Sequence, residues 1–407
     1  MKKTLLIAAL ASAALVSCSK DEVVKINQDE IKFSVVADNQ TKASAVYCGN
    51  NLMNSFQVWS EYTADGSSWQ TYFADETVTN TSGNWGTANT RYWPELTSNA
   101  AINFYAVAGV DDIDIMTSAT DDWTGSGKAP VIKDFQVEGT VANQKDLLYS
   151  VAKYSNSNPP TNGEAAMNFR HALSQIEFQA KNTSYSLYVE ISGVMVANVM
   201  GKGTFTFPKD VYGVSVSTNG NWTLHGGTDT DTEDNANTTG SWVLSTDDGD
   251  RKSYTAALTS AVPVDNDNAV VSLTLSNDKE NVGNSMLLLP NETATTAWVN
   301  TDALTKKGTY LAVKCNIWNK ANVSSSGKQS TDVKLHEGWA VIPVSFTWKP
   351  GKKYIYTFVF GNGNGGIDGG NSDTPTPNTD PVLVPIDYTV TVDDFDKIVV
   401  SDVTMNK

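Results

Sequence analysis

The sequence predicts an all-β protein, and three observations support this prediction. Apolar and aromatic residues occur in short runs with an alternating pattern, which is typical of half-buried strands. Gly, Pro, Asn, Asp and Ser separate these runs at short intervals, as turn residues do. No window of a dozen residues carries apolar residues at helical spacing. We therefore expect β-sandwiches, and the 407 residues exceed what one hydrophobic core usually holds.

The expected strands fall into two groups. The segment between them, Ser157-Asn-Pro-Pro-Thr-Asn-Gly163, is rich in turn-forming residues and predicts a loop. We predict an N-terminal β-sandwich domain over residues 31–165 and a C-terminal one over residues 166–407. The strands of the first domain are expected at residues 31–36, 56–59, 102–107 and 146–151. Those of the second are expected at residues 175–180, 187–199, 203–207, 269–275, 285–289, 310–318, 340–348 and 353–360.

Two stretches of low complexity interrupt the second domain. Residues 220–249 are polar and predict a long insertion in a surface loop. Residues 361–377 join a glycine-rich run to a Thr-Pro repeat, which predicts a flexible and then stiffened connector. The alternating apolar residues beyond it predict a C-terminal strand extension; they are Val382, Val384, Ile386, Tyr388, Val390 and Val392, with Ile398 and Val400 farther along.

The N-terminus has the pattern of an export signal. Lys2 and Lys3 precede the apolar stretch Leu5–Val16, which is followed by Ser17-Cys18. The apolar run is shorter than the ~20 residues that a membrane span needs. The segment resembles the bacterial lipobox, in which the cysteine is lipidated and becomes the mature N-terminus. We predict a signal peptide at residues 1–17, lipidation of Cys18 and a lipidated linker at residues 18–30, which anchors the protein in the outer membrane.

The residues after Cys18 and the overall charge indicate where the protein acts. Ser19-Lys20-Asp21-Glu22 resembles the tag of lipoproteins that are exposed at the cell surface, although a solvated linker has a similar composition. The chain has a formal net charge of -16 at pH 7. Such a charge repels nucleic acids and anionic headgroups, so neither is an expected partner.

Three segments, together with the lipobox, resemble the fimbrillin-like family, the type V pilins of Gram-negative anaerobes. They are Ile31-Lys-Phe33 with Thr41-Lys-Ala43, Phe169-Arg-His-Ala-Leu-Ser-Gln-Ile-Glu-Phe178, and Trp348-Lys-Pro-Gly-Lys-Lys-Tyr-Ile-Tyr356. The resemblance implies two transthyretin-like β-sandwich domains and export as a lipoprotein. It also implies that the protein polymerises with other pilin subunits after a trypsin-like protease removes the N-terminal strand.

The residues of this chain suggest how such an assembly would work. Ile31, Phe33 and Val35 are predicted to plug an apolar groove, and cleavage after Lys42 would release the plug together with the anchor. The C-terminal apolar residues named above would then fill the groove of a neighbouring subunit as a donor strand. The alternative is that both ends are ordinary sandwich strands. Lys42 also departs from the arginine of better-known family members.

The sequence lacks the patterns of common catalytic and metal sites. His171, His225 and His336 do not have the spacing of zinc ligands, and His171 is expected to pack beside Leu173. No nucleophile elbow or complete phosphate-binding loop is present. We therefore predict no catalytic residues, no metal and no cofactor. Cys48 and Cys315 can pair only if their Cα atoms lie within about 7 Å, and two isolated buried thiols are the expected state.

The tryptophans support an alternative function. Trp69, Trp85 and Trp123 lie in polar segments and are candidates for contact with a host or bacterial surface ligand, whereas Trp318, Trp339 and Trp348 are expected in the core. The leading hypothesis is a structural fimbrial subunit or fimbria-associated adhesin at the cell surface. The alternative is a monomeric surface lipoprotein that binds polysaccharide. A hydrolase is the third hypothesis.

Overall fold

The computed structural model describes residues 26–36, 53–118, 121–209, 213–216, 222–225, 240–274, 285–299, 308–363, 365–376, 380–382 and 384–394. Within these residues the regular elements are β-strands and two short 3-10 helices, Val141–Asn143 and Asp248–Asp250. The predicted all-β class is therefore confirmed.

Eight of the first eleven strands form one sheet. In chain order these eleven strands are β1 (Ile26–Glu30), β2 (Lys32–Val36), β3 (Ser55–Thr63), β4 (Trp69–Thr81), β5 (Asn84–Thr87), β6 (Tyr92–Pro94), β7 (Ala101–Ala108), β8 (Val131–Gln136), β9 (Leu148–Ser155), β10 (Glu164–Asn168) and β11 (Arg170–His171). The order in the sheet is β10-β2-β5-β4-β3-β7-β9-β11, while β1 pairs with β6 outside it. Only the β10–β2 pair of this sheet is parallel.

The centre of this sheet is buried on both faces, which explains the nearly continuous apolar sequence of β7. Ile102 and Phe104 enter one hydrophobic core, and Tyr105 and Val107 enter a second core on the other face. A strand that is buried on both faces has no polar side to maintain, so the alternating pattern is lost.

The remaining strands form mainly a β-sandwich. They are β12 (Ser174–Asn182), β13 (Leu187–Met200), β14 (Lys202–Thr206), β15 (Gly213–Val216), β16 (Trp222–His225), β17 (Ser241–Leu244), β18 (Arg251–Val264), β19 (Val271–Ser272), β20 (Met286–Leu288), β21 (Tyr310–Asn319), β22 (Val333–Pro343), β23 (Lys352–Phe360), β24 (Ile367–Asp368) and β25 (Ile386–Asp394). One sheet has the order β19-β12-β23-β25, with β20 also on β12, and the other has the order β18-β13-β21-β22-β24. Their apolar faces share one core. The expected core positions of Trp318, Trp339 and Trp348 are confirmed.

The two halves of the chain are connected by strand pairing. β14 pairs with both β8 and β17, so a strand from the first half joins two from the second. The predicted boundary between residues 165 and 166 lies inside β10, and β10 and β11 continue the first sheet to His171. The division into two transthyretin-like domains therefore stays a prediction.

The glycine-rich stretch is packed against the sandwich, which corrects the predicted flexible connector. β24 pairs with β22, and the Trp339 amide donates to the Gly370 carbonyl at 2.8 Å. A Cβ atom at Gly369 would lie 2.8 Å from the Trp339 Cβ, so the close approach of the two backbones requires glycine. The low side-chain volume of this stretch therefore permits packing rather than freedom of movement.

Candidate functional site

The predicted plug residues lie on or next to β2, which is an inner strand of its sheet. β2 pairs with β10 in a regular parallel register from Lys32–Glu164 to Val36–Asn168. Its other neighbour, β5, pairs with it only at Phe33 and Trp85. β2 is therefore held firmly on one side and weakly on the other.

The side chains of this segment fill an apolar groove. Ile31 and Phe33 are buried, and Val35 packs against the same core at partial exposure. The Phe33 ring has its centroid 5.8 Å from that of Phe56 and 6.0 Å from that of Phe104, both in edge-to-face geometry. This geometry is favourable for aromatic pairs. Removing β2 would leave these rings and the backbone of β10 exposed.

Two loops fasten the start of β2. The Ile31 amide donates to the Arg91 carbonyl at 2.7 Å, and the Lys32 amide donates to the Gly163 carbonyl at 3.2 Å. The Trp93 indole N–H donates to the same Gly163 carbonyl at 2.9 Å. The Arg91 guanidinium lies 5.4 Å from the centroid of the Phe73 ring. Backbone hydrogen bonds to two loops therefore fix the N-terminal end of β2.

Several predicted site residues lie outside the described residues. They are Cys18, Lys42 and Cys48, together with Ile398 and Val400 of the predicted donor strand. Cys315 is a free thiol in the core, and burial raises its pKa well above the ordinary value. The expected burial of Cys315 is confirmed.

The other predicted donor residues belong to the sandwich of their own chain. Val382, Val384 and Ile386 are buried in its core, and β25 pairs with β23 over all nine of its residues. Tyr388 packs at partial exposure, whereas Val390 and Val392 are exposed. The first half of the predicted donor is thus a core strand, because its side chains complete the inner face of β23.

The tryptophans that were candidates for ligand contact have different environments. Trp85 lies in β5, is only 8% exposed and packs with Phe56, so the predicted ligand contact is wrong for this residue. Trp69 begins β4 and is half-buried beneath the loop that contains Gly127. Trp123 is also half-buried, with its ring edge-to-face on Tyr105 at 5.7 Å. Trp69 and Trp85 belong to strands that their polar flanking residues did not indicate, whereas Trp123 lies in a loop between β7 and β8.

A buried carboxylate holds the loop over Trp69, and sequence reasoning missed it. Glu61 is fully buried and accepts hydrogen bonds from the Asn103 amide at 2.7 Å, the Tyr105 hydroxyl at 3.1 Å and the Gly127 backbone N–H at 2.8 Å. Burial also raises the pKa of Tyr105 well above its ordinary value. The available signal was an acidic residue inside the apolar run of β3. Its partners give Glu61 a structural role.

Two histidines, His171 and His336, pack against neighbouring groups of the fold. The His171 Nδ1 lies 2.6 Å from an oxygen of the buried Asp146 carboxylate, and His336 is buried beside the Gly338 carbonyl. Within the described ranges, no three His, Cys, Asp or Glu side chains are placed to hold a metal ion. The same ranges contain no helix with the length and apolar character that crossing a membrane requires.

Comparison with known proteins identifies relatives of this fold. The sequence profile of the family described as fimbrillin-like matches residues 27–375. A proposed cell adhesion protein from Parabacteroides distasonis is 12% identical, with 90% of this chain and 99% of that chain covered and a TM-score of 0.44. A tip fimbrial protein from Porphyromonas gingivalis with a C-terminal truncation is 9% identical, with 86% and 97% covered and a TM-score of 0.35. No curated protein sequence matches the chain.

Proposed function

Because the chain belongs to the fimbrillin-like family, we propose that it is a structural subunit of a cell-surface fimbria or an adhesin associated with one. In this proposal the chain is exported as a lipoprotein through Cys18, is anchored in the outer membrane, and assembles by strand exchange. The observation that supports the proposal is the position of β2, which fills an apolar groove and pairs with β5 only at Phe33 and Trp85.

The acceptor half of the exchange uses the groove that β2 fills. Cleavage after Lys42 separates the plug from the rest of the chain, and departure of β2 exposes the edge of β10 and the rings of Phe56 and Phe104. An incoming strand that runs parallel to β10 would recover the backbone hydrogen bonds. It needs apolar side chains at the positions of Ile31, Phe33 and Val35, because period-two alternation directs these residues into the groove.

The donor half uses the C-terminal end of a neighbouring subunit. Val382, Val384 and Ile386 fill the core of their own sandwich, so donating them would expose Phe358 and Phe360. We therefore place the donor in residues 395–407, where Ile398 and Val400 supply alternate apolar side chains.

Limited trypsin digestion followed by size-exclusion chromatography tests the exchange. The full chain should be cut after Lys42, lose the fragment that carries residues 31–36 and elute as oligomers. A Lys42→Gln variant is the matched control and should stay uncut and monomeric. A chain that ends at Asp394 should be cut but fail to form oligomers, because it keeps every described strand and lacks the donor. Cut full-length chains that remain monomeric with the plug still bound would reject strand exchange.

A further inference from the structure

The described edge strands differ in how well they are protected against pairing with another chain. β19, β24 and β11 have two residues each, and β17 has four. β18 is long but carries Arg251, Lys252, Pro263 and two register shifts, which are common devices against edge pairing. β25 has nine residues, an unbroken register and no Pro, Gly, Lys or Arg. Its charged residues, Asp387, Asp393 and Asp394, lie near its two ends, so residues 388–392 form a regular edge without these devices.

The side chains of β25 leave the core partway along the strand. Ile386 is buried, but Val390 is 47% exposed and Val392 is 54% exposed. Their partners across β23, Tyr356 and Tyr354, are both buried. The two valines therefore continue the inner apolar face to the rim of the sandwich, where the described residues leave them partly uncovered.

The opposite face of β25 is acidic and hydroxylated. Asp393 is on this face and lies across from Lys353 in the register with β23. Asp387 lies across from Val359, an apolar residue. A cationic side chain on an added strand would therefore complement the Asp387 end of this face, as opposite charges across neighbouring strands do.

We propose that the outer edge of β25, from Asp387 to Asp394, is a strand-accepting site distinct from the β2 groove. Its partner is an extended segment of another protein with aliphatic residues at alternate positions and a basic residue on the opposite face. The backbone groups on the outer edge of β25, which no other described strand pairs with, recognise the added strand. Val390 and Val392 recognise its aliphatic residues, and Asp387 recognises its basic residue. This site needs neither cleavage at Lys42 nor removal of β2.

A synthetic peptide with this pattern tests the site on the uncut full chain. The peptide alternates valine with threonine and carries one lysine on the threonine face, and a scrambled peptide of equal composition is its control. Fluorescence anisotropy should detect binding of the patterned peptide only. Amide hydrogen exchange should slow within residues 388–394 and stay unchanged in β10, which separates this site from the β2 groove.

Substitutions at the exposed valines test the role of the edge. Val390→Lys and Val392→Lys should each weaken peptide binding at least tenfold, because each removes an apolar contact and places a charge at the edge. Val243→Lys is the matched control, since Val243 is 68% exposed on β17, and it should leave binding unchanged. Thermal unfolding checks that each variant is folded. If one of the two β25 variants does not fold, the other still tests the site.

Three results would overturn the proposal. The first is equal binding of the patterned peptide to the full chain and to both β25 variants. The second is protection of β10 in place of residues 388–394. The third is that the full chain binds no peptide but forms a dimer, and that Val390→Lys abolishes the dimer. The partner at this edge would then be a second copy of the chain.

Discussion

At the residue scale, Phe33 attaches the plug segment to the core through a buried aromatic ring. Its ring is buried between Phe56 and Phe104 and lies on the strand that is weakly paired with β5. Because few hydrogen bonds hold that side of β2, side-chain burial must supply much of its attachment.

Replacement of Phe33 by alanine should lower the free energy of unfolding by about 3–5 kcal/mol, as is typical for loss of a buried phenylalanine. Urea unfolding measures the change. Tyr185→Ala is the control, because this ring is 73% exposed and its loss should cost less than about 0.5 kcal/mol. Equal losses in the two variants would mean that the groove is loosely packed and that β2 is not held by its side chains.

His336 should make stability depend on pH. Burial lowers its pKa below the ordinary value of about 6.5, against the opposing effects of Asp368, the Gly338 carbonyl and Glu337. As the pH falls below about 6.5, the His336 side chain takes up a proton more readily in the unfolded chain than in the folded chain. The free energy of unfolding should therefore fall on acidification.

Urea unfolding at pH 7 and pH 5 measures this dependence. The loss between the two pH values should be smaller in His336→Gln than in the unsubstituted chain, whatever the difference between them at pH 7. Identical losses would show that His336 does not contribute.

Some residue roles could be read from the sequence, and others depended on distant partners. The alternating positions of Phe33, Val390 and Val392 are local patterns, and they predicted the faces of their strands. The burial of Trp85 and the hydrogen bonds of Glu61 arise from residues of other strands. Polar neighbours in sequence therefore suggested an exposed Trp85. The apolar run around Glu61 indicated that it is buried, but it did not identify the partners of its carboxylate.

At the element scale, the glycine-rich stretch shows how composition can mislead. Its residues predict a flexible connector because glycine lowers local stiffness. The same lack of side chains lets its backbone approach Trp339 and Gly338 closely and form β24. The composition of this segment indicates that its backbone can bend. It does not indicate that the segment packs on β22, which is a separate strand earlier in the chain.

Gly369→Val should release this stretch from the sandwich. The added side chain would overlap with Trp339, since even a Cβ atom would lie 2.8 Å from the Trp339 Cβ. Hydrogen exchange in residues 366–376 should become faster while exchange in β23 stays slow. Gly139→Ala is the control, because a Cβ atom there meets nothing within 4 Å. Unchanged exchange in Gly369→Val would mean that the segment can shift without losing its hydrogen bonds.

At the scale of the whole molecule, side-chain contacts connect the two halves that the sequence predicts as separate domains. The Tyr105 ring lies 5.7 Å from that of Phe207, and the Tyr149 ring lies 4.8 Å from that of Phe205. The Gly240 amide donates to the Tyr149 hydroxyl at 3.1 Å. The sequence pattern predicted strands within each half, but pairing between β8 and β14 depends on a register that no local pattern encodes.

These contacts predict that the two halves unfold together. Calorimetry of the full chain should give one transition, because breaking either half exposes aromatic rings of the other. Fragments of residues 26–173 and 174–407 keep the first sheet and the sandwich strands intact but separate β8 from β14. Each fragment alone should therefore unfold at lower urea concentration than the full chain, and mixing them should restore part of the difference. Two calorimetric transitions, each reproduced by one isolated fragment, would instead support two independent β-sandwich domains and limit the contacts of Tyr105 and Tyr149 to a docking surface between them.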